Sequence, residues 1–436
     1  YGVCLGWRSM TLPATYNLLW RVVRPALPFL LGRRAAAGKE DRSRLAERYG
    51  RLDGRGDLPD APIWIHAVSV GESVGALALA RALRNNRPDI PLLVTTNTVT
   101  AAARVAAQPA ELGLTHLYQP LDHPDMVDAF LHRVRPGLAL FLESDFWPNL
   151  ITRTAAADIP VALVSAQLSD RAFARWQRQR SLAAAVFGAP KLVLAVDAEQ
   201  ADRFTRLGTN PQNVRIGGSL KLPPAAGDID DEFVAMLRKA AGGRRVLLAA
   251  STHEGEDSTV IAATAALGDD WFTIIAPRHP ERGSAIASQV ATAGHRAARR
   301  SAGGSATSDD NIYIADTLGE MDSLFNVADI VFLGGSLKPL GGHNPVEPAS
   351  HGLPILTGPH IHKNRAEFAG LTAAGVVREI TDVASLAATA RRITDDADKL
   401  SDIARAARNY AAQTGKRPEI AAESCLELIN RAGQTS

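Results

Sequence analysis

The sequence predicts an α/β chain of two Rossmann-like, doubly wound domains facing a central cleft. Three observations lead there. From residue 60 onward, short apolar runs alternate with Ala-rich stretches of helical character. Strand, helix, strand at that spacing builds parallel sheets covered on both faces. The 436 residues exceed one ordinary sheet domain, since domains hold roughly 100–200 residues each. Finally, Pro223-Pro224-Ala225-Ala226-Gly227-Asp228 interrupts the pattern as a linker does.

The elements follow in chain order. Residues 1–36 contain Arg8, Arg21, Arg24, Arg33 and Arg34 and no acidic residue. Their apolar content lies in Leu18, Leu19, Trp20, Val22, Val23, Leu27, Phe29, Leu30 and Leu31. A spanning helix needs about 20 mostly apolar residues. Here Arg21 and Arg24 interrupt the run, and Pro25 and Pro28 kink it. The pattern fits a membrane-associating helix lying in the interface, its cationic face toward anionic lipid; an amphipathic helix packed on its own domain, a spanning segment, and a signal peptide cleaved near Ala35-Ala36-Ala37 are the alternatives. The first domain is expected over 37–222, with strands at Ile63–His66, Leu92–Thr95, Leu138–Leu142, Val161–Val164, Leu192–Val196 and Val214–Ile216. The second is expected over 223–436, with strands at Val246–Ala250, Phe272–Ala276, Asn311–Ile314, Ile330–Leu333 and Pro354–Leu356. Ligands of such sheets bind at the carboxyl ends of the strands.

Composition excludes several classes. With 46% hydrophobic and 22% charged residues the chain is an ordinary globular mixture. Two cysteines, Cys4 and Cys425, rule out a disulfide scaffold or a four-cysteine metal site. A net charge of +2 argues against a nucleic-acid binder. The Walker, dinucleotide-fingerprint, zincin and nucleophile-elbow motifs are all absent. His360-x-His362, near His343 and His351, has no carboxylate cluster beside it, so no metal is expected.

Five stretches carry chemistry. After the first strand, Ser69-Val70-Gly71-Glu72 sets a carboxylate at a helix start, where a base can meet a hydroxyl. Glu143-Ser144-Asp145-Phe146-Trp147-Pro148-Asn149 places two acids after a buried strand. They share a side if the chain stays extended, and Asp145 could instead cap the next helix. Lys221 closes Gly217-Gly218-Ser219-Leu220-Lys221, a cation suited to a phosphate or carboxylate. Pro277-Arg278-His279-Pro280-Glu281-Arg282 offers guanidinium forks for phosphate. Gly334-Gly335-Ser336-Leu337-Lys338-Pro339-Leu340-Gly341-Gly342-His343-Asn344-Pro345-Val346-Glu347-Pro348 is the most specific stretch. Its glycines expose backbone N–H groups that could cradle phosphate, and Glu347 in a helical first turn could accept from ribose hydroxyls.

These motifs, in this order, resemble the 3-deoxy-D-manno-octulosonic acid (Kdo) transferases of lipopolysaccharide biosynthesis, glycosyltransferase family 30. The similarity runs from about Tyr16 to at least Phe368 and includes Ser251-Thr252-His253-Glu254-Gly255-Glu256. The resemblance implies a GT-B enzyme moving Kdo from CMP-Kdo to lipid IVA at the cytoplasmic side of the inner membrane, without cofactor or metal. Carried over by motif, Glu72 is the general base, and Glu143 and Lys221 stabilise the transition state. Pro277 and Arg278, Gly319, Glu320 and Met321, and Asn344, Pro345, Val346 and Glu347 contact CMP. The final helix of such folds commonly crosses back to the first domain. The chain departs from the family pattern at Asp145, usually Glu, and at Gln167, usually Arg. Alternative readings are another GT-B nucleotide-sugar transferase or epimerase, or a non-catalytic lipid- or nucleotide-binding paralogue.

Overall fold

The computed structural model describes residues 14–68, 70–220 and 227–433. The chain clusters into two units, Tyr1–Leu222 with Lys416–Ser436, and Pro223–Gly415. Most of the linker stretch, Pro223–Ala226, lies outside the described residues.

The first unit holds β1 Ile63–His66, β2 Leu92–Thr96, β3 Leu114–Tyr118, β4 Leu138–Leu142, β5 Val161–Ala166, β6 Leu192–Ala195 and β7 Val214–Ile216. They form one sheet in the order β3-β2-β1-β4-β5-β6-β7. The second unit holds β8 Arg245–Thr252, β9 Trp271–Pro277, β10 Ala297–Arg299, β11 Ile312–Ile314, β12 Ile330–Leu333, β13 Ile355–Thr357 and β14 Val377–Glu379. Its order is β10-β11-β9-β8-β12-β13-β14. Every pairing, such as β1 with β4 and β8 with β12, is parallel. The central strands are buried along their whole length, which is why they read as unbroken apolar runs.

Three strands escape the sequence reading: β3, β10 and β14. All three are edge strands, and each carries polar residues: Thr115 and His116 in β3, Arg299 in β10, Arg378 and Glu379 in β14. An edge strand need not be apolar on both faces, so its pattern is weak.

Helices close the layers. Residues Val70–Asn86 form a helix whose buried Ala76, Leu77, Ala80 and Leu83 pack on one face of the first sheet. The final helix, Arg417–Gly433, packs against that helix, adding Ala421, Ala422, Cys425 and Leu426 to the same core. The chain reaches it after the Ala397–Gly415 helix ends, and Pro418 sits in its first turn, where a missing N–H costs nothing.

The N-terminal segment is two short helices, Ala14–Val23 and Leu27–Ala36, joined by a 3-10 turn at Arg24–Ala26 that contains Pro25. No described helix is long and apolar enough to cross a membrane. Its inner side is anchored. The Tyr16 hydroxyl donates to Asp122 at 2.7 Å, Trp20 meets His123 edge-on, and Arg24 pairs with Asp125 at 2.8 Å. Its outer side leaves Leu18, Leu19, Val22, Phe29 and Leu30 exposed.

Asp122 ties this segment to the sheet. Its carboxylate also accepts from the backbone N–H groups of Asn149 and Leu150, at 3.0 and 2.7 Å, so it caps the Pro148–Ala156 helix from a distant loop. Burial pushes its carboxyl up to about 7, from 3.8. A carboxyl raised on folding stabilises the protein at low pH, and that stability drains away as pH rises from 3.8 to about 7. Asp122→Asn is expected to remove this part of the pH slope in denaturant titrations. Asp122→Ala is expected to cost about 1–2 kcal/mol, the loss of a helix cap.

Candidate active site

Strand order reverses between β1 and β4 in the first sheet, and ligands of open α/β sheets bind beyond the carboxyl ends at such a point. Both sequence-derived carboxylates stand there. Glu72 lies in the first turn of the Val70–Asn86 helix that follows β1, and its Oε2 accepts from the Val68 N–H at 2.6 Å. Glu143 directly follows β4 and is buried.

Glu143 has φ +58°, a left-handed conformation for a non-glycine residue. Its N–H donates to Val164 and its carbonyl accepts from Gln167, so β5 and the loop after it fix the turn. Strain of this kind persists where neighbours over-determine it. The turn breaks the extended geometry that would place residues 143 and 145 on one side. Glu143 is turned inward, while Asp145 is partly exposed and lines a cavity. Nor does Asp145 cap the next helix; Asp122 holds its first free N–H groups. Gln167, where the resemblance implies an Arg, donates its amide to Glu143 Oε2 at 3.3 Å.

The Gly218-Ser219-Leu220 stretch reaches the same region. The Leu220 N–H donates to Ser165 Oγ at 3.1 Å. Gly75, one turn after Glu72, admits it closely: a Cβ there would lie 3.1 Å from that of Leu220. Lys221 lies outside the described residues.

In the second unit the order reverses between β8 and β12. Here the glycine loop departs from expectation. The N–H groups of Gly335, Ser336 and Leu337 do form a nest, but its occupant is the Glu256 carboxylate, at 2.8, 2.9 and 2.9 Å. Glu256 also accepts from the His253 N–H at 2.9 Å, and it is wholly buried. An internal anion thus fills the site proposed for phosphate. Arg282 is likewise committed. It pairs with buried Asp257, which in turn accepts from Thr252 Oγ1 at 2.7 Å.

Other groups remain available. Arg278 follows buried Pro277 at the end of β9 and is exposed. His253 and His343 stack at 5.2 Å with Nε2 to Nε2 at 3.0 Å, and His279 meets His253 edge-on. Burial, then the neighbouring His253, Arg278 and Lys363, holds the His343 imidazole down near about 4. Two facing ring nitrogens need one donor and one acceptor, which neutral imidazoles supply.

The remaining predicted contacts cluster on the same edge of this sheet. Glu347 stands in the first turn of the five-residue helix Val346–Ser350, with Pro345 at its N-cap, and Asn344 Oδ1 accepts from the Val346 N–H at 3.0 Å. Burial, then nearby Asp322, raises the Glu347 carboxyl. Asp322 itself accepts from His351 at 2.9 Å. Gly319 is exposed with φ +87°, Glu320 is paired with Arg300 at 2.7 Å, and Met321 opens the Met321–Val327 helix. Among the described residues, no three His, Cys, Asp or Glu side chains converge as a metal site requires.

Sequence reasoning gave no role to Glu256, Asp122 or His66. The only local signal for Glu256 was an acid opening a helix just after Gly255, and three of its four backbone partners lie 79 to 81 residues away.

Comparison with known proteins points one way. A family model described as 3-deoxy-D-manno-octulosonic-acid transferase (kdotransferase) matches residues 43–223. The 3-deoxy-D-manno-octulosonic acid transferase of Haemophilus influenzae is 32% identical over 349 residues, covering 79% of this chain and 82% of its own. That of Bordetella pertussis is 34% identical over 412 residues, covering 91% and 95%. Among solved structures, a UDP-GlcNAc 2-epimerase from Neisseria meningitidis bound to UDP-GlcNAc matches with a TM-score of 0.56 at 12% identity, over 84% of this chain and all of that one. A glycosyltransferase from Rickettsia africae has the same TM-score at 10% identity, over 86% of this chain. At such identities the structures establish the GT-B fold alone.

The Glu256 nest yields a stability prediction. Glu256→Ala leaves four backbone donors unpaired and is expected to destabilise the second unit by about 3 kcal/mol or more. Amide exchange at Gly335, Ser336 and Leu337 should rise with it; unchanged exchange there would contradict the nest.

Proposed function

The chain belongs to the Kdo transferase family, glycosyltransferases of lipopolysaccharide biosynthesis, and from that premise we propose how its residues divide the reaction. The donor is CMP-Kdo and the acceptor is lipid IVA. Glu72 takes the proton from an acceptor hydroxyl. The freed oxygen attacks the anomeric carbon of Kdo. The bond from that carbon to the phosphate oxygen breaks, and CMP leaves with the electron pair. Glu143 and Lys221 stabilise the charge that develops.

The observation that carries this reading is the placement of two carboxylates at one switch point. Glu72 follows β1 and Glu143 follows β4, neighbouring strands in register at His66 and Phe141. In the second unit, exposed Arg278 suits the CMP phosphate, and Glu347 suits the ribose diol. At 319–321 the Glu320 side chain is spent on Arg300, so the backbone is the available contact. Cationic side chains neutralise the phosphate without a metal.

The acyl chains of the acceptor call for a membrane surface. Exposed Leu18, Leu19, Val22, Phe29 and Leu30, with exposed Arg21, support an interfacial attachment at the cytoplasmic side of the inner membrane.

Purified protein given lipid IVA and freshly generated CMP-Kdo is expected to add Kdo, read as a mass gain on the lipid. Glu72→Ala should lower transfer by about 10²-fold or more, the usual weight of a general base, while CMP binding by calorimetry persists. Unchanged transfer would remove Glu72 from the base role. In a flotation assay the protein should rise with anionic vesicles. Replacing Leu18, Leu19 and Val22 with Ser should leave it at the bottom, and continued flotation would place the attachment elsewhere.

A further inference from the structure

Within the first unit, a cavity of about 360 Å³ is lined by Tyr16, Asp145, Trp147, Arg175 and Trp176, among others. Its size falls in the range of small-ligand sites. Its one carboxylate is held in an unusual way. The Trp147 indole N–H donates to Asp145 Oδ2 at 2.5 Å. The same oxygen lies 3.7 Å from Nε2 of His66. His66 is buried at the end of β1, and this Nε2 has no hydrogen-bond partner.

The His66 tautomer follows from its other neighbour. Its Nδ1 lies 2.8 Å from Thr95 Oγ1, which already accepts from the Trp64 indole N–H at 2.8 Å. The Thr95 hydroxyl proton is then free to donate to Nδ1, leaving the imidazole proton on Nε2. A buried N–H without a partner is costly, and it faces the Asp145 carboxylate at 3.7 Å. Trp147 bonds Oδ2, and His66 faces the same oxygen from 3.7 Å, beyond hydrogen-bond reach. Oδ1 makes no hydrogen bond within the protein among the described residues.

Aromatic rings beside an open carboxylate oxygen are the chemistry that recognises a sugar. The apolar face of a pyranose packs on rings, and a ring hydroxyl donates to the carboxylate. We propose that this cavity is a subsite for a sugar ring of the acceptor, in which Asp145 Oδ1 accepts a ring hydroxyl, Trp147 holds the carboxylate and His66 is the positioning residue that faces it. The proposal deepens the transferase reading and rests on it. It also gives the Asp-for-Glu departure a consequence: with one methylene fewer, the carboxylate stops short of His66.

The test is steady-state Kdo transfer with acceptor and donor varied separately. Asp145→Asn and His66→Gln should each raise the acceptor KM about tenfold, the weight of one charge-assisted hydrogen bond, with the donor KM within about twofold. The double variant should be no worse than Asp145→Asn alone, because His66 acts through Asp145. Asp145→Glu, which keeps the charge and can close the gap to His66, should hold the acceptor KM within about threefold of wild type. An unchanged acceptor KM in Asp145→Asn, additive losses in the double variant, or equal rises in both KM values would overturn the proposal. Asp145 is partly exposed, so its variants remain informative even if His66→Gln fails to fold. Wild-type protein that transfers no Kdo would overturn the parent reading as well, whereas active wild type with an indifferent Asp145→Asn overturns this proposal alone.

Discussion

A parallel sheet buried on both faces has one place for polar chemistry, the ends of its strands. Helices cover the two faces, and every position along β1, β4 and β12 is buried. Polar side chains are therefore expelled to the turns. At the carboxyl ends, each following helix begins with unpaired N–H groups, so carboxylates are favoured there. Glu72, Glu143 and Glu256 all obey this constraint, each within a few residues of a strand end.

The carboxylates obey it for different purposes. Glu256 is wholly buried and gives its oxygens to four backbone N–H groups, locking the β8 turn to the glycine loop after β12. Asp122 does the same for the start of the Pro148–Ala156 helix and for Tyr16. Such groups are architectural, since removing a buried acceptor strands its donors. Glu72, proposed above as the general base, is only partly buried, as that role requires. Burial thus sets Glu256 and Asp122 apart from Glu72, a distinction residue type cannot make.

The N-terminal helices show a similar division on a larger scale. One side is pinned by Tyr16, Trp20 and Arg24, and the other leaves five large apolar residues exposed. Tyr16 also lines the cavity that holds Asp145. The segment read as a membrane attachment is therefore continuous with the wall of the acceptor subsite proposed above.

The sequence by itself determined the fold class, the central strands and the motif order that marks the family. These signals are local or collective: apolar runs arise from two-sided burial, and a chain of motifs needs no geometry to be recognised. It also placed Glu72 and Glu143 at strand ends, because a strand's end is legible in its own residues. Tertiary structure alone decided what those ends do. The edge strands β3, β10 and β14 were hidden because an edge is defined by missing a neighbour, not by composition. The glycine loop read as a phosphate cradle is occupied by Glu256, a residue some 80 positions earlier in the chain. Arg282 reads as an anion fork until Asp257 is seen beneath it, and Asp145 reads as a cap until Asp122 is seen in that role. Each of these outcomes depends on which distant groups the two sheets bring within hydrogen-bond reach, and no local pattern encodes that distance.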